Sequence, residues 1–133
     1  MKPIALEWTE KAEGDYRVAA SQWGVEEPVY DAICFHAQQC AEKYLKAWLV
    51  EQGMDFPKTH DLEILAKLCI PSLPELTSLM DGLRFLTSFA VEIRYPGTSA
   101  ARRDAERCWQ AALQVRDLIR GKQGLRQRGA GGT

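Results

Sequence analysis

Apolar residues recur along this chain at three- and four-residue steps, and no stretch alternates in the two-residue period of a strand. The pattern divides into five helical segments separated by Pro or Gly. The first covers residues 4–23, with Leu6, Trp8, Ala12, Tyr16, Ala19 and Trp23 marking one face. Gly14 weakens it and Gly24 and Pro28 follow it. The second, residues 29–52, carries two apolar lines. Ile33, Ala37, Cys40, Tyr44 and Trp48 form one, and Val29, Ala41, Leu45 and Leu49 the other. So wide an apolar surface implies packing on more than one side. Gln38, Gln39, Glu42 and Lys46 fall in the remaining sector, which reads as solvated. Gly53 ends the segment.

A loop, MDFPKTH, leads to a short third helix near residues 60–69, with Thr59 as its expected N-cap and Asp61 and Glu63 at its positive end. IPSLP interrupts it. The fourth helix spans about 75–94. Leu76, Leu79, Met80, Leu83, Leu86, Ala90 and Ile93 form its stripe, with Phe85 and Phe89 beside them. The fifth runs from about 98 to 121, capped by Thr98 or Ser99, with Ala101, Ala105, Cys108, Trp109, Ala112, Val115 and Ile119 inward. The expected architecture is all-α, an antiparallel up-and-down bundle of about five helices over residues 1–122. A basic, Gly-rich tail over 123–133 has little to bury and reads as disordered. The surplus apolar surface of the second and fourth helices points to a homodimer.

Composition changes this picture little. The chain has 133 residues and 46% apolar content, which suits one domain with a real core. No apolar run is long enough to span a bilayer and no secretory signal opens the chain, so a cytoplasmic protein with no membrane contact is expected. Cys34, Cys40, Cys69 and Cys108 form no C-x-x-C pair and read as buried free thiols. His36 and Cys40, four apart, are too few for a zinc site, and no metal or cofactor is expected. The net charge of −1 is unevenly divided. Residues 1–101 hold 15 acidic and 9 basic side chains, and residues 102–133 hold 3 acidic and 8 basic. The basic end, with Arg102, Arg103 and Arg107, is either a solvated helix face or a surface for RNA or an acidic partner.

Three stretches carry further meaning in their order and spacing: FHAQQCAEKYLKAWL at 35–49, KTHDL at 58–62 and EIRYPG at 92–97. Together they resemble the HEPN family, the nucleotide-binding domain of higher eukaryotes and prokaryotes, over about residues 4–120. The resemblance implies an up-and-down helical bundle, usually a homodimer. Many relatives pair with a small nucleotidyltransferase of the minimal kind as toxin and antitoxin. Ribonuclease members carry an Arg followed, after four to six residues, by a His, and two copies of that motif meet across the dimer. Arg94 matches the Arg. The matching His belongs at 99, 100 or 101, where this chain has Ser99, Ala100 and Ala101.

That departure bears on the chemistry. Metal-independent RNA cleavage needs a proton acceptor for the 2′-hydroxyl or a donor for the leaving oxygen, and a histidine serves both. A lone Arg clamps phosphate without moving protons. The resemblance therefore implies a nucleotide-, RNA- or partner-binding module. The alternative is a ribonuclease toxin in which His60 or His36 stands in. Arg94 continues the stripe of Leu86 and Ala90, so it either pairs with an internal carboxylate or the helix end, or meets an anionic ligand. Tyr95, forced out of helical geometry by Pro96, packs or stacks on a base. His60 either fixes the start of the third helix or shares a cleft with Arg94. His36 reads as a hydrogen-bonded core histidine. Lys43 and Lys46 are solvated or track phosphates. The candidate anion-binding set is thus Arg94, Tyr95, His60, Lys43 and Lys46, with Arg94 and His60 also the candidates for catalysis.

Overall fold

The computed structural model describes residues 1–124. Five α-helices make up the fold: α1 (Pro3–Gln22), α2 (Tyr30–Glu51), α3 (Leu62–Cys69), α4 (Met80–Glu92) and α5 (Arg102–Lys122). No strand occurs among the described residues. The expected tail lies, from residue 125 onward, outside them.

Pairwise contacts give the directions. Lys2 meets Glu51, Glu13 meets Tyr44, and Trp23 meets Tyr30, so α1 and α2 run antiparallel. The segment after α2 runs back along it, so α3 starts again near Gln38 and runs parallel to α2, with His60 beside Gln38 and Ser72 beside Trp48. Then α4 reverses against α3, and α5 reverses against α4. As a result α2 is packed by all four other helices. Its broad apolar surface is consumed inside the chain, and Ile33, Cys34, Ala37, Ala41, Tyr44, Leu45 and Leu49 are all fully buried. The four cysteines are buried and unbridged.

Several boundaries differ from expectation for identifiable reasons. The expected fourth helix is divided into a 3-10 turn, Pro74–Leu79, and α4. Thr77 and Ser78 are weak helix formers, and the Ser78 hydroxyl donates to the Glu75 carbonyl, which supports the tighter turn. The cap of α3 is Asp61 rather than Thr59: the Asp61 carboxylate accepts from the Glu63 N–H at 2.9 Å, while Thr59 Oγ1 accepts from the Asp61 N–H. Neither Thr98 nor Ser99 caps α5. The Asp104 side chain reaches back to the N–H of Ala101 at 2.9 Å. On α1 the buried line is Ala5, Thr9, Ala12 and Ala19, and Leu6 is exposed. Small residues let α1 lie close on α2, which turns Trp8 and Tyr16 to the flanks.

The larger correction concerns charge. Glu13 and Arg116 are 1% and 2% exposed, and neither was expected inside. Arg116 donates twice to the Glu13 carboxylate, at 2.7 and 2.9 Å, and its guanidinium lies 3.9 Å over the Tyr16 ring. The Tyr44 hydroxyl donates to the same carboxylate, and Arg120 donates to the Tyr44 oxygen at 3.1 Å. This network fastens α1, α2 and α5 to one another. The α2 sector expected in solvent is also internal: Gln38, Glu42 and Lys46 are all buried.

Burial alone raises the Glu13 pKa. The hydrogen bonds from Arg116 and Tyr44, with the charges of Arg116 and Arg120, outweigh it and hold the carboxyl below its ordinary value of 4.5. A depressed carboxyl stabilises the fold above its unfolded pKa, and that contribution is lost as pH falls through the folded value. Unfolding free energy should therefore decline below about pH 4.5, and Glu13→Gln should flatten that decline in denaturant titrations run across the acid range. At neutral pH, Arg116→Met should cost about 3 kcal/mol, because the buried Glu13 carboxylate loses both guanidinium hydrogen bonds and keeps only the Tyr44 hydroxyl and the more distant Arg120 charge.

Candidate functional site

The last turn of α4 and the first turns of α2 enclose a recess of about 260 Å³ lined by Asp31, Ala32, Phe35, His36, Ala90, Ile93 and Arg94. Arg94 does not continue the inward stripe. Pro96 disfavours helical geometry at Tyr95, and α4 ends at Glu92, two residues before Arg94. Ile93 is the last buried position, and the Arg94 N–H turns back to the Val91 carbonyl at 3.2 Å. Gly97, at φ +93°, then reverses the chain in a conformation that favours glycine. The Arg94 side chain is exposed, with its guanidinium 5.4 Å from the centroid of the Phe35 ring. Among the described residues it forms no ion pair.

His36 faces the same recess edge-on to Phe35, with ring centroids 5.1 Å apart. Its Nδ1 lies 2.8 Å from Asp15 Oδ1 on α1. The second Asp15 oxygen accepts from Lys43 Nζ at 2.6 Å. A carboxylate on Nδ1 selects the tautomer that bears its proton there and leaves Nε2 as the acceptor. Asp31 ties the site to the loop after α4, because its Oδ1 accepts the Ala100 N–H at 2.7 Å. The recess thus combines an exposed guanidinium, an oriented imidazole, one carboxylate and an apolar floor.

Other candidates lie elsewhere. His60 does not line this recess. Its side chain is 77% exposed, with Nδ1 3.0 Å from Glu42 Oε1, and its carbonyl accepts from Gln38 at 2.8 Å. Lys46 donates to the other Glu42 oxygen at 2.9 Å and lies over the rings of Trp8 and Phe56. Lys46 is only 8% exposed, so its charge is matched internally. Lys43 is committed to Asp15 but stays partly open to solvent. Tyr95, 66% exposed, stands beside Arg94 in the loop. Sequence reasoning missed Asp15, Asp31 and Phe35. The i, i+4 spacing of Asp31 and Phe35 on α2 was a usable signal for two of them. The pairing of Asp15 with His36 crosses two helices and had no local signal.

Residues 5–122 match the family model of the HEPN domain. The chain belongs to the HEPN domain family. No curated protein and no solved structure matches it. Within this HEPN domain, none of residues 99–101 is a histidine, and the histidine that lines the recess with Arg94 is His36 of α2. No helix among the described residues is long and apolar enough to cross a membrane.

Two members of the Glu42 ion-pair cluster respond differently to truncation. Glu42→Ala strands the buried Lys46 ammonium and should cost about 3 kcal/mol or more, whereas His60→Ala removes an exposed ring and should stay within about 1 kcal/mol of wild type. Chemical denaturation of the two variants side by side checks the contrast.

Proposed function

We propose that this HEPN domain is a non-cleaving module that binds RNA or nucleotide phosphate through Arg94 and pairs with a minimal nucleotidyltransferase partner. The observation that carries the reading is the Arg94 guanidinium, exposed above the Phe35 ring and without an ion-pair partner among the described residues. An arginine backed by an aromatic face keeps its N–H edge directed at ligand and suits bidentate phosphate contact. Ser99, Ala100 and Ala101 supply no proton-transfer group at the positions where ribonuclease relatives are expected to have one. The exposed Tyr95 is a stacking surface beside that contact. The functional unit in this reading is a pair of copies, supported by the resemblance to HEPN homodimers rather than by the α2 surface, which is buried within the chain; sedimentation showing only monomer at micromolar concentration speaks against it.

A second reading is favoured by one observation, the Asp15-held His36 in the same recess as Arg94. In that reading the 2′-oxygen attacks the neighbouring phosphorus, His36 takes the 2′-hydroxyl proton, Arg94 holds the phosphate, and the 5′-oxygen leaves and takes a proton from water. His36, not His60, is then the histidine required for a toxin of this type.

Both readings meet in one experiment on purified protein and a single-stranded RNA. Binding followed by fluorescence anisotropy should weaken about 10-fold or more in Arg94→Ala, equivalent to about 1.4 kcal/mol, and should fall with added salt. The RNA should be recovered intact. Dose-dependent cleavage that disappears in Arg94→Ala and His36→Ala but persists in His60→Ala replaces the first reading with the second.

A further inference from the structure

We propose that Asp31 makes the Arg94 recess selective for ribose over deoxyribose, so that its ligand class is the ribonucleotide rather than any phosphate ester. The inference rests on the reading of Arg94 as a phosphate contact. Among the ionisable side chains of the recess, Arg94 suits an anion and His36 does so when protonated, but Asp31 is a carboxylate and repels one. Its position has a structural side: it lies in the first turn of α2, where the helix dipole favours a carboxylate, and its Oδ1 accepts the Ala100 N–H at 2.7 Å and moors the loop that carries Arg94 and Tyr95. That bond leaves Oδ2 without a hydrogen-bond partner among the described residues. The contrast is with Asp15, whose two oxygens are both taken, by His36 and Lys43.

A ribonucleotide offers a donor for that half-exposed oxygen. Its 2′-hydroxyl lies next to the carbon bearing the 3′-phosphate, so the groups that grip phosphate and hydroxyl must be near neighbours. Arg94 and Asp31 line one recess of about 260 Å³. A hydroxyl donating to a carboxylate forms a charge-assisted bond. The 2′-hydroxyl is also the group by which proteins distinguish RNA from DNA. With deoxyribose, Oδ2 keeps its repulsion for the phosphate and gains nothing in return. Ala32, Phe35 and Ala90 offer apolar surface to the sugar and base.

The test compares a short single-stranded adenine RNA with its deoxy counterpart by anisotropy. Wild-type protein should bind the RNA about 10-fold more tightly, a difference of about 1.4 kcal/mol. Asp31→Asn keeps an amide oxygen for the Ala100 N–H and loses the carboxylate, so it should bind both oligomers with similar affinity. Asp31→Ala also releases the loop and should weaken both. Equal affinity of the wild-type protein for the two oligomers overturns the proposal, as does a ribose preference retained in Asp31→Asn. Equal affinities that still drop together in Arg94→Ala leave the phosphate contact standing and remove only the role of Asp31. No binding of either oligomer removes both.

Discussion

The buried pairing of Glu13 with Arg116 is the interaction on which the rest of the bundle depends. It joins the middle of α1 to the last part of α5, and Tyr44 brings in α2. Two charges taken out of water are costly, and only good geometry with every remaining polar site satisfied offsets that cost. Here the guanidinium makes two hydrogen bonds to the carboxylate and rests on the Tyr16 ring, which in turn stacks on Trp109. Such a pair contributes less to stability than an equally well-packed apolar cluster. What it adds is geometry. Held by Arg116 of α5 and the Tyr44 hydroxyl of α2, the Glu13 carboxylate tolerates little sliding of α1 along α2, which Ala5, Thr9, Ala12 and Ala19 alone would permit, being small and of nearly equal shape.

That register has consequences at the recess. Asp15 lies two residues beyond Glu13 on α1, so once Glu13 is held, Asp15 is brought opposite His36 and Lys43 on α2. The imidazole orientation is thus set by a helix that does not line the recess. The Arg94 side is positioned independently. Pro96 and Gly97 end α4 and turn the chain, and Asp31 anchors the returning loop to the start of α2. Rigid elements on both sides hold a small set of polar groups, which is what a binding site needs if affinity is not to be spent on ordering it.

Much of the fold was legible along the chain because helical burial has a period. The repeated spacing of Leu83, Leu86, Ala90 and Ile93, and of Ile33, Ala37, Cys40 and Tyr44, is a local property that survives in any tertiary context. Where the reading went astray, a long-range partner was responsible. Gln38, Glu42 and Lys46 looked solvated because they are polar and share a sector, yet the returning segment 52–61 covers that sector and supplies His60 and Phe56 to meet them. Leu6 looked internal because it is large and apolar, yet it is exposed, and the small Ala5 and Thr9 make the line that lies on α2.

By itself, then, the amino-acid sequence determined the helical class, the approximate extent of five segments, the family, and the absence of an imidazole after Arg94. Each of these is a matter of residue identity at short range. Tertiary structure alone decided that Arg94 faces outward over Phe35, that His36 rather than His60 shares its recess, and that two full charges meet in the core. The physical reason is that ion pairs and hydrogen bonds act between atoms a few ångströms apart in space, and residues 13 and 116, or 15 and 36, carry no mark of one another until the chain is folded.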